Sequence, residues 1–126
     1  MELGGNAPFI IFEDADLKKA LDLAIGLKFG NCGQICVAAN RFFVHEKIYD
    51  DFIKSYIKRS SEIKLGFGEK SDADMGPLVR SEDVNRMKLL IKDAISKGAE
   101  LKYGGKVPNE KESNGNWFEP TVVTGL

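Results

Sequence analysis

The residues best suited to chemistry are a cysteine and an early carboxylate. Cys36 ends the run NCGQIC over residues 31–36, and Glu2 opens the run ELGG over residues 2–5. A thiolate is a nucleophile, and a carboxylate can act as a general base. Gly33 favours a tight turn that exposes the main chain, where the N–H group of Cys36 could face an oxyanion. These residues are therefore a candidate nucleophile and a candidate base.

Both candidates also have a purely structural interpretation. A lone cysteine is most often a small, buried apolar residue, which would leave Cys36 inert. Glu2 is the second residue of the chain, and carboxylates at chain termini are commonly frayed and solvated. Residue type and spacing leave these alternatives open.

No metal site is predicted. Cys32, Cys36 and His45 are the possible soft ligands of the chain, but a C-x3-C pair with one distant histidine lacks a fourth ligand and the usual zinc spacing. A disulfide between Cys32 and Cys36 would require a break in any helix between them. The sequence contains no glycine-rich dinucleotide or nucleotide phosphate motif.

Composition indicates one soluble globular domain over residues 1–126. The chain is 43% hydrophobic and 29% charged, with a formal net charge of −1, so no overall field attracts nucleic acid or an anionic membrane. No apolar run approaches the roughly 20 residues of a membrane span, and no signal-peptide pattern is visible. Two cysteines are too few for a secreted disulfide framework, so we expect a cytoplasmic location.

Strand and helix patterns alternate along the chain, which predicts an α/β fold with a mostly parallel sheet and flanking helices. Asp14 or Asp16 is the expected N-cap of the first helix and Ser81 that of the third, and Gly98 is the expected residue just past the third helix. Strands are predicted at 8–12, 41–45, 101–103 and 118–123, helices from Leu17, Tyr49 and Ser81, and a polar loop at 107–116.

Two segments resemble the signatures of the aldehyde dehydrogenase superfamily. They are ELGGNAP at residues 2–8 and FGNCGQIC at residues 29–36. Landmarks that resemble those of the same family follow in order as NR at 40–41, GPL at 76–78, GA at 98–99, GG at 104–105 and FEPT at 118–121. The run GQICVAANR is most similar to succinate-semialdehyde dehydrogenase-like members, and the resemblance covers essentially the whole chain.

The resemblance implies a role for each site residue. Cys36 is the nucleophile that attacks an aldehyde to form a thiohemiacetal, hydride passes to NAD or NADP, and Glu2 activates water to release the acid from the resulting thioester. Leu3 and Gly4 are the implied cofactor contacts. The implied fold is the N-terminal part of a three-layer α/β catalytic domain. The implied partners are an aldehyde substrate and either further copies of this chain or a separate chain that carries the cofactor domain.

The resemblance also predicts what this chain lacks. The cofactor-binding domain lies outside it, so we expect the isolated chain neither to bind NAD or NADP nor to reduce them, and to self-associate through exposed strand edges. Gly30 stands where succinate-semialdehyde enzymes carry an arginine for the substrate carboxylate, and Ala38 where they often carry a second cysteine. The alternative function is a non-catalytic remnant that acts as a structural or interaction module.

Overall fold

A computed structural model describes residues 3–69, 72–108 and 115–126. Strands and helices follow one another in the predicted order, which confirms the α/β class. The described elements are β1 (Ala7–Ile11), α1 (Leu17–Phe29), a 3-10 turn (Gly30–Gly33), β2 (Ala39–Val44), α2 (Glu46–Ser61), α3 (Ser81–Ser96), β3 (Glu100–Tyr103) and β4 (Val122–Thr124). The chain divides after Arg59 into two compact units, here called the N-terminal and C-terminal units. Their assignment to one domain stays a prediction.

The N-terminal unit is built on a parallel strand pair. Strands β1 and β2 pair from Ala7 with Ala39 to Ile11 with Val44, with a register shift between Ala7 and Pro8, and α1 forms the crossover between them. A parallel pair requires such a crossover because the chain must return to the same end of the sheet. Aromatic side chains form the core beside this pair, with ring centroids 5.3 to 6.4 Å apart, and the residues are Phe9, Phe29, Phe42, Phe52 and Tyr56.

Helix α1 begins where its capping residue predicts. The Asp16 side chain accepts a hydrogen bond from the Lys19 N–H at 3.1 Å, so Asp16 rather than Asp14 is the N-cap. This bond satisfies one of the donors that the first turn of a helix leaves free. The helix ends at Phe29, and the 3-10 turn of Gly30–Gly33 follows it directly.

The opposite side of the parallel pair is exposed and apolar. Ile10, Phe12 and Phe43 are 60%, 65% and 52% exposed, and we call these three residues the exposed face. Ile10 and Phe43 are register partners, and the guanidinium of Arg41 lies 5.9 Å from the centre of the Phe43 ring. Contiguous apolar surface of this kind is typical of a contact surface. The predicted self-association stays a prediction.

The C-terminal unit is built on an antiparallel pair, β3 with β4. Trp117 is buried and meets the Phe67 ring edge-on, with centroids 5.1 Å apart. Strand β4 begins at Val122 rather than at residue 118, because Pro120 has no N–H to donate to a strand partner, while the Glu119 N–H donates to the Lys106 carbonyl.

The two ends of α3 test the capping predictions. The expectation that Ser81 caps this helix is wrong: Arg80 occupies the N-cap position without a side-chain capping bond, and the Ser81 hydroxyl donates to Glu82 at 3.3 Å. Gly98 follows the C-cap residue with φ of 100°, so its predicted place just past the helix is confirmed. The polar loop predicted at 107–116 lies partly outside the described residues.

Candidate active site

The parallel pair brings two distant segments to one end of the sheet. Residues 3–6, here called the glycine segment, lead into β1, and residues 30–38, here called the cysteine loop, lead into β2. Ala7 pairs with Ala39 at the start of both strands. Because the strands are parallel, the residues that precede them emerge at the same edge. The fold therefore places the residues around Cys36 beside those that follow Glu2.

The cysteine loop has an unusual backbone. Asn31, Cys32 and Gly33 have φ values of 49°, 59° and 71° in succession. The left-handed conformation costs a residue with a Cβ about 1–2 kcal/mol, and such strain concentrates at functional sites. Side chains of the loop brace it: Asn31 Nδ2 donates to the Gln34 carbonyl, and Gln34 Nε2 donates to the Asn31 carbonyl, each at 3.3 Å.

Gly33 is required by a close approach of the chain to itself. A Cβ at this position would lie 2.7 Å from the carbonyl oxygen of Lys28, in addition to the left-handed φ. We expected a tight turn at Gly33 that exposes the main chain. The structure shows that the space is taken by the last turn of α1, so the glycine serves to fold the loop back onto that helix.

Cys36 lies at the corner of a tight turn and is exposed. The Ala38 N–H donates to the Ile35 carbonyl at 3.1 Å, which closes a turn with Cys36 at its first corner. The interpretation of Cys36 as a buried apolar residue is therefore wrong for this chain. Cys32 is half-buried, and neither cysteine forms a disulfide. Cys36 is therefore open to solvent in this structure.

The glycine segment contacts the backbone of Cys36. A Cβ on Gly5 would overlap the Cys36 carbonyl oxygen and lie 3.0 Å from its carbonyl carbon, whereas a Cβ on Gly4 would meet nothing within 4 Å. The next residue is held as well, because Arg41 Nη2 donates to the Asn6 carbonyl at 2.9 Å. Glu2, the predicted general base, lies outside the described residues.

A second link crosses the cysteine loop. Lys28 Nζ, in the last turn of α1, donates to Asn40 Oδ1 in β2 at 2.9 Å. Burial lowers the pKa of Lys28, because the charged ammonium has lost part of its hydration. We did not predict this link from the sequence. The available signal was a lysine at a position of the apolar repeat, directly before the loop.

The described part of the chain offers no cluster of three or more histidine, cysteine or acidic residues that could hold a metal ion. Within the same described ranges, no helix is both long and apolar enough to cross a bilayer.

Leu3 and Gly4 are the residues implied as cofactor contacts. Leu3 is 69% exposed, and Gly4 faces open space where a side chain would stand. An apolar side chain next to bare backbone fits one face of a flat aromatic ring such as nicotinamide. The two residues have no charge with which to hold the phosphates of a dinucleotide. The fit is therefore to the ring alone.

Comparison with known proteins identifies the family. The family model described as "Aldehyde dehydrogenase family" matches residues 1–126. A probable NADP-dependent succinate-semialdehyde dehydrogenase of Sinorhizobium fredii is 46% identical over 99% of this chain and 25% of its own length. Among crystal structures, succinate-semialdehyde dehydrogenase from Burkholderia pseudomallei is 48% identical with a TM-score of 0.92 over 99% of this chain and 25% of that one.

A third relative carries a different activity in its name. Betaine aldehyde dehydrogenase from Staphylococcus aureus, solved in complex with NAD+, is 40% identical with a TM-score of 0.95, over 99% of this chain and 25% of that chain. The chain spans about a quarter of the length of the curated relatives it matches. The match confirms that the fold is part of the α/β architecture of these enzymes. The chain belongs to the aldehyde dehydrogenase family.

Proposed function

We propose that this chain is the nucleophile-bearing segment of an NAD(P)-dependent enzyme that oxidises an aldehyde to a carboxylic acid. The observation that carries the proposal is the exposed Cys36 at the corner of a turn, in a loop with three successive left-handed residues. Backbone strain of this kind marks functional sites, and the chain belongs to a family named for this reaction.

In the proposed reaction the Cys36 thiolate attacks the aldehyde carbon. A C–S bond forms, and the electron pair of the carbonyl bond moves to oxygen, giving a thiohemiacetal anion that the Cys36 N–H stabilises by a hydrogen bond. A bound nicotinamide cofactor would accept hydride from this carbon. Cys36 then holds the acyl group as a thioester. Glu2 takes a proton from water, the hydroxide attacks the thioester, and the C–S bond breaks to release the acid and the thiolate.

The proposed substrate is an aldehyde that carries no carboxylate group. Gly30 stands where the resemblance places an arginine in enzymes for succinate semialdehyde, and Gly30 has no side chain with which to bind a carboxylate. A side chain could start at this position, since a Cβ at Gly30 would meet nothing within 4 Å. Gly30→Arg should therefore be tolerated and should improve use of succinate semialdehyde over an uncharged aldehyde by about tenfold.

The experiment is a graft. This chain replaces the equivalent quarter of the succinate-semialdehyde dehydrogenase from Burkholderia pseudomallei, which supplies the rest of the enzyme. Formation of NADH or NADPH is then followed with an uncharged aldehyde and with succinate semialdehyde. The chimera should reduce the cofactor, and Cys36→Ser should lower the rate by about a thousandfold or more, because an alcohol is a far weaker nucleophile at neutral pH.

Cys32→Ser is the matched control, because Cys32 is the other cysteine of the same loop and the proposal gives it no role in bond formation. Its turnover should stay within a few-fold of the chimera. Glu2→Gln should slow release of the acyl group, so that a burst of reduced cofactor precedes a slow steady state. A chimera that folds and binds cofactor yet shows no turnover, or one that keeps its turnover without Cys36, would refute the proposal. The first result would favour a non-catalytic module.

A further inference from the structure

We propose that Gly5 is a positioning residue for Cys36. Its lack of a side chain lets the glycine segment lie against the Cys36 carbonyl, and this contact fixes the turn that carries the thiol. The inference rests on the proposed role of Cys36 as nucleophile. It assigns no contact with substrate or cofactor to Gly5 itself.

The first observation is how closely the backbone of Gly5 approaches the backbone of Cys36. A Cβ built on Gly5 would overlap the Cys36 oxygen, and would lie 3.0 Å from the Cys36 carbonyl carbon and 3.4 Å from its Cα. These are main-chain atoms, which cannot swing aside as the end of a flexible side chain can. Any residue other than glycine must therefore push the glycine segment and the cysteine loop apart.

The second observation is that the two residues after Gly5 also contact the segment that follows Cys36. Gly5 lies against Cys36, the Asn6 carbonyl accepts from Arg41 at 2.9 Å, and Ala7 pairs with Ala39 in the sheet. Three successive residues of one segment are thus held by the loop and strand of the other. The contact of Gly5 with the Cys36 peptide group thus lies just before the first residues of the strand pair, where the register shifts between Ala7 and Pro8.

The consequence for the thiol follows from geometry. Fixing the Cys36 carbonyl fixes the backbone torsion between the Cα and the carbonyl carbon, and the turn bond from Ala38 to Ile35 fixes the other side of the same turn. The directions of the Cα–Cβ bond and of the Cys36 N–H are then set together. Misplacement of a reacting group by about 1 Å can cost about a hundredfold in rate. Fixing the direction of the Cys36 side chain should therefore favour attack by its thiolate.

The test compares two alanines one residue apart in the chain as it stands. Gly5→Ala introduces the overlap, whereas Gly4→Ala adds the same methyl group where nothing lies within 4 Å. Two readouts follow the turn: hydrogen exchange at the Ala38 amide, and the pH dependence of Cys36 alkylation by iodoacetamide. Peptide mass spectrometry separates the Cys36 adduct from that of Cys32, and amides in α2 report whether the unit stays folded.

Gly5→Ala should accelerate exchange at Ala38 by about tenfold or more and displace the midpoint of the alkylation profile, because the turn is no longer held from one side. Gly4→Ala should change neither. A purely structural role for Gly5 would alter exchange and stability but leave the alkylation midpoint in place. That outcome, or equal behaviour of the two alanine variants, would overturn the proposal.

Arg41→Met is the second variant, for the case in which Gly5→Ala unfolds the unit. It removes the bond to Asn6 while leaving the glycine contact possible, and should move both readouts in the same direction by a smaller amount. If α2 loses protection in Gly5→Ala and Arg41→Met changes nothing, the proposal is wrong. Neither readout uses aldehyde or cofactor, so failure of the grafted enzyme would overturn the proposed function without touching this result.

Discussion

The two compact units differ in which residues adopt the left-handed conformation. In the N-terminal unit, two non-glycine residues, Asn31 and Cys32, precede Gly33 in one unbroken left-handed run. In the described part of the C-terminal unit every residue with positive φ is a glycine, and these are Gly98, Gly104, Gly105 and Gly125. The first arrangement costs conformational energy, and the second largely avoids it.

This difference distinguishes left-handed residues that only turn the chain from left-handed residues that lie next to the candidate site. Glycines in the C-terminal unit turn the chain with little strain, as at the end of α3. The run at Asn31 and Cys32 holds a costly conformation although glycine would be cheaper, and it lies directly before the turn of Cys36. Strain that the surrounding structure must compensate is a feature of sites selected for chemistry. The following predictions test whether the contrast holds.

The largest effect is expected in the C-terminal unit at Gly104. Gly104→Ala would place a Cβ in overlap with the Pro120 oxygen at a φ of 71°, so we expect a loss of about 3 kcal/mol in the free energy of unfolding. Gly98→Ala is the control, since its φ is 100° but nothing lies within 4 Å, and it should cost about 1 kcal/mol. Urea unfolding followed by fluorescence of Trp117, the single tryptophan, measures both. Equal losses would show that the close approach does not matter.

In the N-terminal unit, Tyr56→Phe should be stabilising. The Tyr56 hydroxyl is buried and has no hydrogen-bond partner among the described residues, so its removal should raise stability by about 1 kcal/mol at neutral pH. Burial also raises the pKa of Tyr56 above its ordinary value of 10.0. The folded state then keeps a proton that the unfolded state loses, and stability falls as pH rises above 10. Thermal unfolding across alkaline pH should show this fall in the original chain and a weaker one in Tyr56→Phe. A destabilised variant would reveal an unrecognised partner of the hydroxyl.

Helix capping should also distinguish the two units. Asp16→Ala removes the bond to the Lys19 N–H and should cost about 1 kcal/mol. Ser81→Ala alters a helix start without a side-chain capping bond and should change stability by less than about 0.5 kcal/mol. Circular dichroism during denaturation compares the pair. If Ser81→Ala proves as costly as Asp16→Ala, the capping bond is not the source of the difference.

The smallest effect concerns the link across the cysteine loop. Burial lowers the pKa of Lys28 from its ordinary value of 10.5, so just below pH 10.5 the unfolded chain binds more protons than the folded chain. Stability should therefore rise with pH in that window. Lys28→Met should remove this rise and leave the other slopes unchanged. An unaltered pH profile in this variant would mean that the ammonium is hydrated.

Local sequence signals predicted the regular elements well. Asp16 as a cap and Gly98 past a helix end follow from groups within a few residues of each other, and apolar runs located β1 and β2. Ser81 is not the cap because the helix begins one residue earlier than predicted, so that Arg80 takes the N-cap position and Ser81 is the first helical residue. Strand β4 begins later than predicted because Pro120 has no N–H to donate to a strand partner. The apolar pattern on which the prediction was based does not reflect this missing donor.

The candidate site was predictable in its residue types and not in its contacts. The resemblance pointed to Cys36, and Gly33 indicated a turn. The left-handed Cys32 has no local signature, because only the folded loop compensates its cost. The contact of Gly5 with Cys36 and the link from Lys28 to Asn40 join segments far apart in sequence. Such contacts depend on the register of the parallel strands, which no local pattern determines.

The parallel pairing of β1 and β2 has a consequence for the order of folding. Antiparallel partners can meet across a short turn, but β1 and β2 pair only after α1 and the whole cysteine loop have been traversed. Pairings between residues distant in sequence form slowly, because the intervening chain must first be ordered. The contact of Gly5 with Cys36, beside this strand pair, therefore forms late. During refolding, the reactivity of this thiol should therefore reach its native value only after α1 has formed and β1 has paired with β2, which makes Cys36 a reporter of that pairing.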